Sequence, residues 1–163
     1  MILYIVRHAI AEPWKPGIRD QDRRLSEAGI RKMRQAAAGL CVLGVQPDVI
    51  FSSPLVRARQ TADILIEILG KPMLQIVPGL APPSDRAEIY REIRKQEGAD
   101  AVMLVGHEPS LGAIAAEILS GTPGSCLILK KGSACAIGIA RMSPKPSGFL
   151  HWLMPPAALR KLG

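Results

Sequence analysis

A chain of 163 residues, 48% hydrophobic and 21% charged, is long enough to bury a core and too ordinary in composition for a fibrous, disordered or disulfide-stapled protein. Its net charge of +7 favours anionic ligands, but aromatics are only 4% and no nucleic-acid-binding signature is present, so nucleic acid is set aside as a partner. Cys41, Cys126 and Cys135 are odd in number and lack C-x-x-C or His spacing, which argues against both a disulfide framework and a zinc site.

The first element is MILYIV, an apolar run rich in β-branched residues that reads as a buried strand ending at Arg7-His8, where a site would open. Arg7 and the missing basic leader region argue against a signal peptide, and no apolar stretch approaches the ~20 residues of a membrane span. A reduced, cytoplasmic protein without membrane contact is the expectation. After the irregular EPWKPGIRDQDRR, Ser26 is placed to cap a helix. Ile30, Met33, Ala37 and Leu40 give it one apolar face, and it runs to about Leu43 before Gly44. PDVIFSS is the second strand. Pro54 is expected in the first turn of a helix that continues through LVRARQTADILIEILG to Gly70.

MLQIV is the third strand, PGLAPPS a loop, and DRAEIYREIRKQEG a charged, exposed helix. AVMLV reads as a fully buried fourth strand, Leu111 to Leu119 as a helix, and SACAIGIA as a fifth strand that takes Cys135 into the core. SPKPSG is a turn, FLHWLM a short last strand and PAALRKL a terminal helix-like segment. Strands separated by helices imply crossover connections, hence a three-layer α/β/α sandwich with a mostly parallel sheet, in one domain over 1–163. Ligands of such sheets bind beyond the carboxyl ends of the strands. Arg7-His8, Ser52-Ser53 through Arg57, and Gly106-His107 all lie just there.

Two histidines and two arginines at strand ends suit phosphoryl chemistry. A neutral imidazole is a nucleophile towards phosphorus, so His8 is the candidate acceptor. Arg7 and Arg57 carry permanent, bidentate charge for the equatorial oxygens, and His107 adds a donor. The helix opened near Pro54 would add backbone N–H groups. No Asp-rich metal signature accompanies them, so no metal or cofactor is expected. Taken singly, each has a plain alternative as a hydrogen-bonded structural histidine or a surface cation. The basic stretch 15–34, net +4, likewise reads either as an anion-attracting field or as a solvated face.

The set LYIVRHAIAE, SSPLVRARQTA and VGHEPSL resembles the histidine phosphatase superfamily, whose R-H-G/A, S-x-R-A-x-Q-T-A and G-H motifs occur in this order. The resemblance implies the phosphoglycerate mutase-like fold, with His8 as the phosphorylated nucleophile, Arg7 and Arg57 on the phosphoryl group, and His107 as the second pocket histidine. Arg57 rather than Arg59 matches the motif; Arg59 is expected on the surface, paired with Asp63. Arg-His-Ala, RDQDRRLSEAGIRKM, the GHEP form and HWLMPPAALRKL look like the short SixA-type phosphohistidine phosphatases of bacteria. Their D-x-x-R-P-L-T-x-x-G pattern falls on Asp20, Arg23, Leu25, Ser26 and Gly29, with Arg24 in place of the proline. Arg23 and Ser53 join the implied substrate-binding set.

An acid able to protonate an alkoxide leaving group has no clear match. Asp85, Glu88 and Glu12 are the nearest candidates, and Asp85 reads better as a helix N-cap. A weak acid hurts an alcohol leaving group more than an imidazole, which favours phosphohistidine on a partner protein of the phosphotransfer or phosphocarrier type. The loop between Val77 and Asp85 is too short for a large lid, so a mutase is disfavoured and the pocket is expected to be open. Two alternatives stand beside this: a phosphatase for small phosphoesters or nucleotide-derived metabolites, and a non-catalytic phosphate- or phosphoprotein-binding module. A monomer is the default oligomeric state.

Overall fold

The computed structural model describes residues 1–96, 98–124 and 127–163, so Cys126 lies outside the described residues. Strands β1 (Ile2–Arg7), β2 (Val49–Ser52), β3 (Met73–Ile76), β4 (Ala101–Gly106), β5 (Ala134–Arg141) and β6 (Ser147–Met154) form one sheet in the order β3-β2-β4-β1-β5-β6. The first four in that order run parallel, while β5 and β6 add antiparallel, as the short connection between them requires. Arg7 is level with Gly106, and Ser52 with Val105. The carboxyl ends of three adjacent strands, β2, β4 and β1, therefore open at one height.

Helices α1 (Glu27–Val42), α2 (Val56–Ile68), α3 (Arg86–Arg94), α4 (Ser110–Ser120) and α5 (Pro156–Leu162) cover both faces. Tyr4, Val6, Ile50 and Met103 pack with Met33, Leu40, Leu65 and Leu159 from α1, α2 and α5. Leu3, Ile5, Phe51 and Leu104 pack with Ile89, Ile93, Leu111 and Ile114 from α3 and α4. Successive residues of a strand point to opposite faces, so burial on both sides demands the unbroken apolar runs seen in β1 and β4. This is the expected three-layer α/β/α arrangement.

Ser26 caps α1 by accepting the Gly29 N–H at 3.1 Å. At Gly29 the chain after β1 crosses α1 so closely that a Cβ would lie 2.0 Å from the Ile10 carbonyl oxygen. Three expectations are corrected. Leu55 keeps extended dihedrals and caps α2, so Pro54 stands ahead of the helix instead of inside its first turn. α3 buries Ile89, Tyr90 and Ile93 beneath its charged face, because helical spacing brings these three together on the sheet side. The last strand begins at Ser147 and is eight residues long. Cys135 is buried as expected. Among the described residues no helix is long and apolar enough to cross a membrane.

Candidate active site

His8 follows β1 directly, and its backbone is pinned from two sides. Its own N–H donates to Gly106 O at the end of β4 (3.1 Å). The next N–H, of Ala9, donates to Thr61 Oγ1 on α2 (3.0 Å), whose hydroxyl donates in turn to Arg57 O (2.7 Å). The imidazole Nδ1 lies 2.7 Å from Ala9 O. A carbonyl oxygen only accepts, so Nδ1 carries the hydrogen and Nε2 of the neutral ring keeps its lone pair.

His107 follows β4, with its ring centroid 4.9 Å from that of His8, and its Nε2 shares a hydrogen bond with Ser53 Oγ at 2.9 Å. His8 and His107 are 5% and 3% exposed. Burial is the main reason that the His8 pKa falls to about 4; the bond to Ala9 opposes the fall, and Arg57, Arg7 and Lys131 add to it. His107 falls to about 3, chiefly through burial and then through His8 and Arg57. Both rings are neutral at physiological pH.

The cations come from four different stretches. Arg57 on α2 is 7% exposed and donates through Nη1 to Asp20 O (2.7 Å) and through Nη2 to Asp20 Oδ2 (2.9 Å). Arg23 donates to the other carboxylate oxygen of Asp20 (2.8 Å) and to Glu12 O (3.0 Å). Burial opposes the charge on Asp20, but Arg57 and Arg23 outweigh it and hold the carboxyl below its ordinary range. Arg7 donates through Nη1 to Leu129 O (2.7 Å), and its buried Nε has no partner among the described residues. Arg7, Arg23, Arg57 and Lys131 line a cleft of about 190 Å³ together with His8, His107, Pro82 and Glu108.

The cleft thus gathers Arg7, His8, Arg23, Arg57 and His107, with Ser53 behind His107. The candidate acids are not brought to it. Asp85 caps α3 by accepting the Glu88 N–H (3.1 Å), and neither Glu88 nor Glu12 lines the cleft. Arg24 is exposed, offering only its carbonyl to the Glu12 N–H. Arg59 is exposed as expected, but among the described residues it forms no ion pair with Asp63. Most of the basic stretch 15–34 is a solvated face, and Arg23 is its one contribution to the cleft.

Sequence reasoning missed Glu108, Pro82 and Lys131, which lie in non-periodic segments. The acid directly after Gly-His was the available signal for Glu108. Its carboxylate accepts the Leu129 N–H (2.7 Å) and the Gly112 N–H (3.3 Å), which ties the segment before β5 to α4. The arrangement as a whole sets a neutral imidazole with a free lone pair among fixed cations. It is built to receive an electrophile that carries negative oxygens.

The histidine phosphatase superfamily (branch 1) matches residues 3–81 of this chain. An uncharacterised protein of Picosynechococcus is 37% identical over 165 residues, covering 95% of this chain and 100% of that one. Phosphohistidine phosphatase SixA of Escherichia coli is 26% identical over 163 residues, covering 98% and 97%. The solved structure of the protein histidine phosphatase SixA complexed with tungstate superposes with a TM-score of 0.85 at 26% identity, over 98% of this chain and 99% of that one. With its motifs on three adjacent strand ends and this likeness along its length, the chain belongs to the histidine phosphatase superfamily and is a phosphatase-type hydrolase.

Proposed function

We propose that this enzyme removes the phosphoryl group from phosphohistidine on a partner protein, by way of a phosphorylated His8. The observation that carries this is the state of His8. Its ring is neutral, Nδ1–H is committed to Ala9 O, and Nε2 is left free beside Arg7, Arg57 and His107. In the first step Nε2 attacks phosphorus and the bond from phosphorus to the partner's imidazole nitrogen breaks. Arg7 and Arg57 compensate the charge of the equatorial oxygens, and His107 contributes a ring N–H. In the second step water attacks phospho-His8, the P–N bond breaks, and inorganic phosphate leaves with His8 restored.

The acids near the cleft bear on the leaving group. Asp20 is held ionised by two arginines, Asp85 is used as a cap, and the Glu108 oxygens are taken by backbone N–H groups. None is a ready proton donor for an alkoxide, whereas a phosphorylated imidazole departs with little help. Similarity to SixA over the whole chain supports the same substrate class, and its tungstate complex supports a site for a tetrahedral oxyanion. The connection 77–85, a third of it occupied by the 3-10 turn Pro78–Leu80, is too short to lay a large cover over the cleft. We also propose that residues 1–163 act as one catalytic domain.

The test is transfer from a phosphohistidine-bearing phosphotransfer domain in the presence of EDTA. Wild-type protein is expected to acquire an acid-labile phosphoryl label and release phosphate, and His8→Ala to do neither. A clear preference for sugar phosphates over phosphohistidine would move the assignment to small phosphoesters. Absence of turnover and of phosphoenzyme with every donor would leave a phosphate-binding module.

A further inference from the structure

Beside the catalytic cleft lies a second cavity, of about 230 Å³, whose charged lining is Lys32 from α1, Lys131 from the segment before β5, and Arg160 from the last turn of α5. Among the described residues no acidic side chain lines it. Among the described residues none of these three cations has a carboxylate partner, whereas Arg19, Arg34, Arg86 and Lys95 are each paired. Three converging cations around a concave surface repel one another, and an anion seated among them relieves that repulsion. Gly132, which lines the cavity together with Pro156, adopts φ +78, a backbone conformation that favours glycine.

The two cavities share a lining residue. Lys131 lines both, and Ala9, the neighbour of the nucleophile, lines the second. A ligand whose phosphoryl group sits at His8 can therefore reach the second cavity with another part of itself, past Lys131.

We propose that Lys32, Lys131 and Arg160 form an anion subsite that receives a second anionic group, carboxylate or phosphate, borne by the same substrate whose phosphoryl group is taken by His8. On a protein substrate that group is an Asp or Glu side chain near the phosphorylated histidine; on a small substrate it is a second phosphate. This rests on the catalytic role given above to His8 and adds a requirement on the substrate: a phosphoryl group standing alone fills only half of the site. The subsite acts on binding, since Lys32 and Arg160 line the second cavity and not the cleft around the nucleophile.

The experiment uses the whole chain and its Lys32→Gln/Arg160→Gln variant, with folding checked by circular dichroism. Substrates are a phosphohistidine peptide flanked by Glu, the same peptide flanked by Gln, a small bisphosphate, and phosphoramidate, which has no second anion. For wild type, KM is expected to be lower for the Glu-flanked than for the Gln-flanked peptide. In the double variant the ratio of peptide KM to phosphoramidate KM should rise about fivefold, the size expected for losing two partly exposed charge contacts. Arg31→Gln, a neighbouring exposed cation outside the cavity, should leave that ratio where it was. If the bisphosphate and not the Glu-flanked peptide shows the dependence on Lys32 and Arg160, the subsite stands with phosphate as its ligand. Equal KM for both peptides and no dependence on the double substitution with any substrate would overturn it. The functional reading fails separately, through absence of phospho-His8, and binding of a non-hydrolysable Glu-flanked peptide measured by fluorescence would still report on the subsite.

Discussion

The neutral state of the two histidines is the physical premise of the chemistry, and it is measurable. His8 moves from an ordinary imidazole pKa of 6.5 to about 4, so the folded site disfavours its cation by roughly 3 kcal/mol. His107, at about 3, is disfavoured more strongly, and its neighbour His8 is one of the causes. The consequence has a definite sign. Above pH 6.5 both rings are neutral whether the chain is folded or not. As the pH falls below 6.5 the unfolded chain takes up protons that the folded site refuses, so stability is lost progressively down to pH 4 for His8 and pH 3 for His107. That loss is comparable with a large share of a typical stability of 5–15 kcal/mol, so marked acid sensitivity is expected. The chain has only three histidines, which makes a ¹⁵N NMR titration tractable, with His8→Ala and His107→Ala supplying the assignments. At pH 5.5 an ordinary imidazole is about ten to one protonated, whereas His8 should be about thirty to one neutral, with the hydrogen on Nδ1. A His8 resonance that titrates between pH 6 and 7, or one with its hydrogen on Nε2, would refute the reasoning.

Other expectations follow from single contacts. Thr61→Val keeps the shape but strands the buried Ala9 N–H, and should cost about 1–3 kcal/mol in urea unfolding while lowering kcat/KM through a looser His8 backbone. Gly29→Ala would push a methyl group to 2.0 Å from Ile10 O, and a loss of roughly 3 kcal/mol or more, seen as a lower Tm, is expected. Glu108→Ala frees the Leu129 N–H and so loosens the carbonyl that holds Arg7. KM for phosphohistidine should rise roughly tenfold with little change in kcat, and Glu108→Gln should restore most of it because its amide oxygen still accepts.

The strands and the four residues at their ends were readable because they belong to periodic or strongly apolar segments. β1 and β4 are buried on both faces, so their apolar runs stop where the sheet stops, and the polar residues next in line fall at the cleft by construction. The S-S-P-L-V-R-A-R-Q-T-A stretch was readable as a motif, but the work of its members appears only in space. Ala58 and Ala62 are wholly buried where α2 packs, Gln60 accepts the Leu25 N–H at 2.7 Å, and Thr61 accepts that of Ala9. Lys131 was not readable as a site residue, since nothing in a loop's local pattern says which strand end it will cross. Asp20 was recognised in its motif, yet its grip on Arg57, 37 residues away, is visible only once the chain has folded back. The same distinction holds for the nucleophile itself. The bond that selects its tautomer, Nδ1–H to Ala9 O, is between neighbours in the chain, but it has a fixed direction only because Thr61 holds Ala9 from another element. A threonine 53 residues downstream thus takes part in deciding which nitrogen of His8 is free to attack.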